Sequence, residues 1–333
     1  MGEIYLPLLK DCKMRKDRIK VFYTEKQVCQ ESIRESSYSK SPLKPKLLME
    51  YLAANGFSDV LDIVDTFRPF GKRDFKLAHH QSYVNNFFRG KGNCRSNSLP
   101  WSKALVESVQ YTNSSLYSAI RYACKHPEVM TLSPTSGFHH AGPSGGSGFC
   151  TFSGQVIAST KLYRNQGLVG AYLDLDGHFG NSIEDSRKFV KDLDESIYMN
   201  INPRGSHEHY VVDFVEKLEE LANAIRLGLV DYVVWCHGAD SHEWDQLGHQ
   251  CSTAEWVLCS QVFYRQIQQL EEELGKCIPV TLSLFGGYRD DDYDSVLSLH
   301  ATDIKEGCRI LLNREIKYET KVKPRGRKHK LTA

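Results

Sequence analysis

The chain has 333 residues, a formal net charge of +1, 41% hydrophobic and 25% charged residues, a globular composition long enough for a large core. No apolar run approaches the roughly 18 residues of a membrane helix, and MGEIYLPLLKDCK lacks the pattern of a secretory signal. Leu6 stands where a myristoylation signal wants Ser or Thr, so an intracellular protein is expected, cytoplasmic or nuclear, with no membrane partner.

IKVFY (19–23) reads as a strand, and SPLKPKLLMEYLAANG (41–56) as a helix with Ser-Pro at its start and Gly at its end. Residues 100–126 hold one or two helices, EVMTLS (128–133) is a strand, and the glycine-rich SGFHHAGPSGGSGFC follows it. A helix is expected over 151–163. Beyond it strands and helices alternate: LVGAYLDL (168–175), helix 184–193, SIYMNI (196–201), helix 209–228, DYVVWC (231–236). A helix from Ser252 to Gly275, a strand IPVTLSLF (278–285) and a helix over 291–304 complete the series. Apolar strands alternating with helices predict an α/β fold of three layers, a mostly parallel sheet covered on both faces. One domain is expected over 1–316.

The ten cysteines include no CxxC pair, which points to reduced thiols used as small hydrophobes. Residues 317–330 carry seven Lys/Arg against Glu319, a local +6 that leaves about −5 for the remainder. This basic segment, 317–333, is expected to be a flexible tail; an electrostatic anchor to nucleic acid or another acidic partner is the functional alternative.

Ligands of a parallel sheet bind at the carboxyl ends of its strands. His139-His140, the set Asp174, Asp176 and His178, the run His237-Gly238-Ala239-Asp240, and Gly286-Gly287-Tyr288 all follow strands. Asp176, His178 and Asp240 offer two oxygens and one nitrogen, the donor number of a catalytic zinc with an open position. Such an ion would activate a water and polarise a carbonyl. The paired histidines supply a base and an acid, and a tyrosine behind two glycines can donate to a developing oxyanion. These parts make a metal-assisted hydrolase for an amide or ester.

GFHHAGPSGGSGFCTFSG, YLDLDGHFGN, GADSHEWDQLG and FGGY, in this order, resemble the zinc-dependent histone deacetylase family and its arginase-deacetylase fold. The resemblance spans roughly residues 19–305, with specific motifs from 137 onward. It implies Asp176, His178 and Asp240 as zinc ligands and His139 and His140 as the tandem histidines, with His140 the general base. It implies Asp174 behind His139, Asn181 behind His140, and Tyr288 polarising the scissile carbonyl. Gly148 and Phe149 would line an acyl-lysine tunnel beside Gly287, and a potassium or sodium ion would sit among Asp174, Asp176 and His178, partly on main-chain oxygens.

Several letters depart from the family pattern. Phe179 follows His178 where a second His is common, and Gly177 stands where larger residues are usual. The loop NPRGSHEHY is short and offers no second aromatic tunnel wall, and 89–101, the segment expected at the rim, has no acid. The implied activity is removal of acetyl or a related acyl group from an amine, with acyl-lysine in a protein or peptide as substrate. Small acylated amines such as acetylpolyamines are the alternative, against which Leu247 replaces the acid expected of a polyamine-selective relative. A binding protein that kept the fold and lost the chemistry is the third.

Overall fold

The computed structural model describes residues 15–32 and 39–325. The elements run β1 (Ile19–Phe22), α1 (Lys44–Ala54), β2 (Leu61–Val64), α2 (Lys72–Phe75), α3 (Gln81–Arg89), α4 (Lys103–Lys125), β3 (Thr131–Ser133), α5 (Gly154–Gln166) and β4 (Gly170–Asp174). They continue α6 (Ser182–Ser186), α7 (Leu193–Ser196), β5 (Ile197–Ile201), α8 (Glu208–Arg226), β6 (Tyr232–His237), α9 (Thr253–Leu274), β7 (Val280–Leu284) and α10 (Tyr293–Leu311). The strands form one seven-stranded sheet in the order β2-β1-β3-β7-β6-β4-β5, and every pairing is parallel.

Both sheet faces are apolar because successive side chains alternate between them. Ala171, Leu173, Val233 and Trp235 enter a core shared with α1, α8, α9 and α10. Tyr172, Tyr232 and Val234 enter the opposite core with α3, α4 and α5. The two buried tyrosine hydroxyls meet on Ser159 Oγ, 2.8 Å from each, so no polar tip is stranded there. Local signals set the long helices. Ser252 Oγ accepts the Glu255 N–H while Glu255 accepts the Ser252 N–H at 2.7 Å, a capping box, and Gly275 closes α9 at φ +63. Residues 100–126 form one helix rather than two, begun by Ser102 accepting the Leu105 N–H.

Three segments differ from expectation. The helix expected over 184–193 is replaced by two short turns of helix, α6 and α7, joined by turns. Phe189 and Val190 are adjacent yet serve different surfaces: Phe189 packs on His80 at 4.5 Å between ring centroids, and Val190 enters the core. A single helical stripe does not serve both. Strand β2, not expected from the sequence, is an edge strand that pairs only with β1, leaving Ile63 52% exposed. The basic segment after 316 is packed as far as it is described. Tyr318 is buried, with its hydroxyl 2.7 Å from Ser298 Oγ and 2.8 Å from Tyr51 Oη. Lys321 and Lys323 donate backbone N–H groups to Ser298 and Ser295 of α10. The rest of the expected tail, 326–333, lies outside the described residues.

The nine described cysteines are free, and all but Cys124 are buried. No helix among the described residues is long and apolar enough to cross a membrane.

Candidate active site

Strands β3, β7, β6 and β4 are consecutive neighbours in the sheet, so their carboxyl ends open onto one edge. The loops leaving them carry His139 and His140, Tyr288, Asp240, and Asp176 and His178. Four segments spread over some 150 residues of sequence thus meet because of strand order.

Asp176 and Asp240 are buried, and His178 Nδ1 lies 3.0 Å from a carboxylate oxygen of each. One ligand atom from each of the three residues falls within 4.8 Å of the others, so the cluster can hold a metal ion. Backbone N–H groups aim the carboxylates: Gly286 donates to Asp176 Oδ2 at 2.7 Å and Gly177 to Asp240 Oδ1 at 3.0 Å. Burial and the neighbouring Asp176 raise the Asp240 carboxyl well above its ordinary range. Asp176 itself is lowered, because His139 and His178 outweigh its burial. Hydrogen bonds to Asp176 and Asp240 raise His178 to about 10. Two buried carboxylates facing one imidazole form an acidic pair whose repulsion a divalent cation would relieve, and the donor set suits zinc.

The paired histidines have different supports. His139 Nδ1 lies 2.9 Å from Asp174 Oδ2, and His140 Nδ1 lies 2.8 Å from Asn181 Oδ1. Burial pushes His139 down, but Asp176 and Asp174 outweigh it and lift it to about 9. Burial, reinforced by the charge on His139, lowers His140 to about 4. The Asn181 amide is oriented by its own donor, Nδ2 to Asp185 Oδ2 at 2.6 Å. Its oxygen must therefore face His140, so Nδ1 carries the proton and Nε2 keeps a free lone pair when the ring is neutral.

Tyr288 lies opposite, its ring 6.2 Å from His178 and 5.7 Å from Phe149. Burial, with Asp176 and Asp240 nearby, raises its phenol and keeps it protonated. Gly287 has φ +147, and a Cβ there would meet Val296 Cγ1 at 2.4 Å. Asp245, given no role from sequence, accepts the Tyr288 N–H at 2.6 Å and the Leu247 N–H at 2.8 Å. The C-terminal segment braces this loop: Arg289 Nη1 donates to the Lys323 carbonyl at 2.9 Å, and Arg325 Nη1 to the Asp245 carbonyl at 3.4 Å. Lys44 was also missed. It is fully buried on α1 and donates to the Phe285 carbonyl. Burial lowers its ammonium to about 8, against the pull of Asp240 and Asp176.

Gly148 and Phe149 both adopt positive φ, and a Cβ on Gly148 would stand 2.6 Å from His140 Cδ2. This turn sets the Phe149 ring beside Tyr288. Segment 89–101 has no acid, yet it holds the glycine-rich loop, since the Asn97 carbonyl accepts the Phe149 N–H at 3.0 Å and Ser96 Oγ the Gly146 N–H at 2.9 Å. On the other side of His178, Phe179, Pro203, Arg204 and Gln250 line a depression of ≈340 Å³ that reaches Asp176 and His178. His237 does not join the site: it stacks on Trp256 at 3.7 Å and bonds Ser260 beneath it.

A seven-stranded all-parallel sheet flanked by helices is the arginase-deacetylase class of fold, here with acidic and imidazole side chains at adjacent strand ends. The HD domain of HDA15 has this fold, with a TM-score of 0.68 and 14% identity over 91% of this chain and 90% of that one. Residues 38–202 match the histone deacetylase domain. An uncharacterised protein of Picosynechococcus sp. is 26% identical over 246 residues, 66% of this chain and 77% of that protein. The chloroplastic histone deacetylase 10 of rice is 26% identical over 176 residues, 48% of this chain but 39% of the rice protein. The chain belongs to the histone deacetylase family. Its class is that of a deacetylase, a hydrolase of amide bonds.

Proposed function

We propose that the protein is a zinc-dependent hydrolase that removes acetyl or a related acyl group from an amine, with acyl-lysine in a protein or peptide as its substrate. The observation that carries this reading is the convergence of Asp176, His178 and Asp240 with a neutral His140 and a protonated Tyr288 around one point. Asp176, His178 and Asp240 would hold the zinc, which supplies Lewis acidity toward the scissile carbonyl and a lowered pKa for a water.

The chain's own groups do the rest. His140 takes the proton of the attacking water at Nε2, because Asn181 fixes its other nitrogen as the donor. His139, favoured as a cation by Asp176 and Asp174, donates toward the developing charge and orients the water. The Tyr288 hydroxyl donates to the carbonyl oxygen, and Asp245 holds its backbone in place. Gly148, Phe149 and Gly287 flank the acyl chain. The family's potassium or sodium ion is part of the same proposal, among Asp174, Asp176 and His178, partly on main-chain oxygens.

The open depression beside His178 supports a second reading, small acylated amines such as acetylpolyamines, although Leu247 offers them no charge. A panel of acyl-lysine peptides and acetylated polyamines, assayed with zinc by released carboxylic acid, tests both. Turnover of peptides is expected. Turnover of polyamines alone would shift the reading to small molecules, and none with either set would overturn it.

A further inference from the structure

A second cavity, of ≈430 Å³, lies away from the strand-end site, between the segment after β2 and helices α4 and α5. It shares no lining residue with the metal-ligand cluster. Arg68, Arg121, Lys125 and Lys161 line it, against one acid, Asp74. Asp74 is already taken, accepting from the Lys161 ammonium. Arg68, Arg121 and Lys125 have no hydrogen bond or ion pair with any described residue. Three cations without a partner among the described residues therefore share one concavity.

The rest of the lining is aromatic apart from Pro69 and Ser118. Phe22 packs on Phe67 and Tyr122, and Phe70 packs on Tyr117 with 5.6 Å between centroids. Lys161 lies 5.5 Å from the ring centroids of both Phe70 and Tyr117, bridging the aromatic wall and the charged rim. Arginine forks suit phosphate oxygens, and aromatic side chains suit a flat ring. The volume is that of a small-molecule site. Its one acid already has a partner.

We infer that this cavity binds a small phosphorylated ligand carrying a flat ring, of the nucleoside monophosphate class. The phosphate sits among Arg68, Arg121 and Lys125, and the ring against the aromatic wall. This inference is independent of the catalytic reading.

Calorimetric titration of the full chain with adenosine 5′-monophosphate, adenosine and inorganic phosphate tests it. The nucleotide is expected to bind with a Kd of roughly 10–100 μM, and each half alone about tenfold or more weaker. Arg68→Ala with Arg121→Ala, both exposed positions, should weaken the nucleotide about tenfold or more while leaving the melting temperature unchanged. Chelator-treated protein should bind it as well as untreated protein. No binding at about 1 mM nucleotide overturns the inference, as does phosphate binding as tightly as the nucleotide, which would mark a bare anion patch. Loss of binding on chelation would place the ligand at the acid cluster, and tighter binding of a short oligonucleotide would mark a polymer surface; either result also overturns it.

Discussion

Gly286→Ala isolates the packing on which the acid cluster depends. A Cβ on Gly286 would stand 2.1 Å from Asp240 Cγ and 2.2 and 2.4 Å from its two oxygens. Contact between carbon atoms needs about 3.5 Å, so the carboxylate or the loop must retreat by roughly 1.4 Å. The backbone at Gly286 is not in the left-handed region, so crowding is the whole effect. A carboxylate displaced this far loses its 3.0 Å contacts to His178 Nδ1 and the Gly177 N–H. Overpacking of this kind costs about 1–3 kcal/mol, and a misplaced ligand lowers metal affinity by about 10–100-fold or more. Chemical denaturation of the metal-free protein reads the first effect, and zinc titration against a competing chelator reads the second. Gly71→Ala is the control, since a Cβ there meets nothing nearer than 4.0 Å and should leave both unchanged. A Gly286→Ala protein with unaltered stability and zinc affinity would refute the packing account.

Asn181→Asp puts a carboxylate against His140 and favours its imidazolium. It should raise His140 from about 4, by about 1–3 units. The neutral base is then lost at higher pH, and the acidic limb of the kcat/KM profile moves upward; a stationary limb would remove His140 as the base. Tyr288→Phe should lower kcat by about 10²–10³ with zinc content unchanged, and undiminished turnover would exclude the hydroxyl from the reaction. Tyr318→Ala removes a buried ring from the segment braced on α10 and should cost about 3 kcal/mol in a denaturation experiment. A cost under about 0.5 kcal/mol, the range of ordinary surface substitutions, would return residues 317–325 to the status of a tail.

The candidate ligands stood out in the sequence because each follows an apolar strand, and a polar cluster past a strand end has no packing reason to be there. What brings them together is the strand order β3-β7-β6-β4, which no local pattern encodes. Lys44 and Asp245 escaped for the same reason. Lys44 lies 241 residues from the carbonyl it meets, and Asp245 43 residues from the N–H it holds. Gly177 looks anomalous between Asp176 and His178 in the sequence, but the loop after Asp240 accounts for it. A Cβ there would press on Gly248 Cα at 3.0 Å and the Asp240 carbonyl at 3.1 Å, and the Gly177 carbonyl accepts from Gln250 Nε2. Phe179, 53% exposed, faces the open depression rather than the core, so no apolar periodicity could have placed it. The edge strand β2 was missed, and the 184–193 segment was misread as one helix because burial there does not follow one face of a regular element.

The central claim is that Asp176, His178 and Asp240 hold a zinc ion at which an amide is hydrolysed. Metal analysis of the full chain and of Asp240→Ala, paired with acid release from an acyl-lysine peptide, tests it most directly. The account predicts about one zinc ion per chain, hydrolysis that a chelator abolishes and zinc restores, and loss of both metal and activity in Asp240→Ala. Hydrolysis that survives complete removal of metal, or an Asp240→Ala protein that keeps its zinc and its activity, would contradict it.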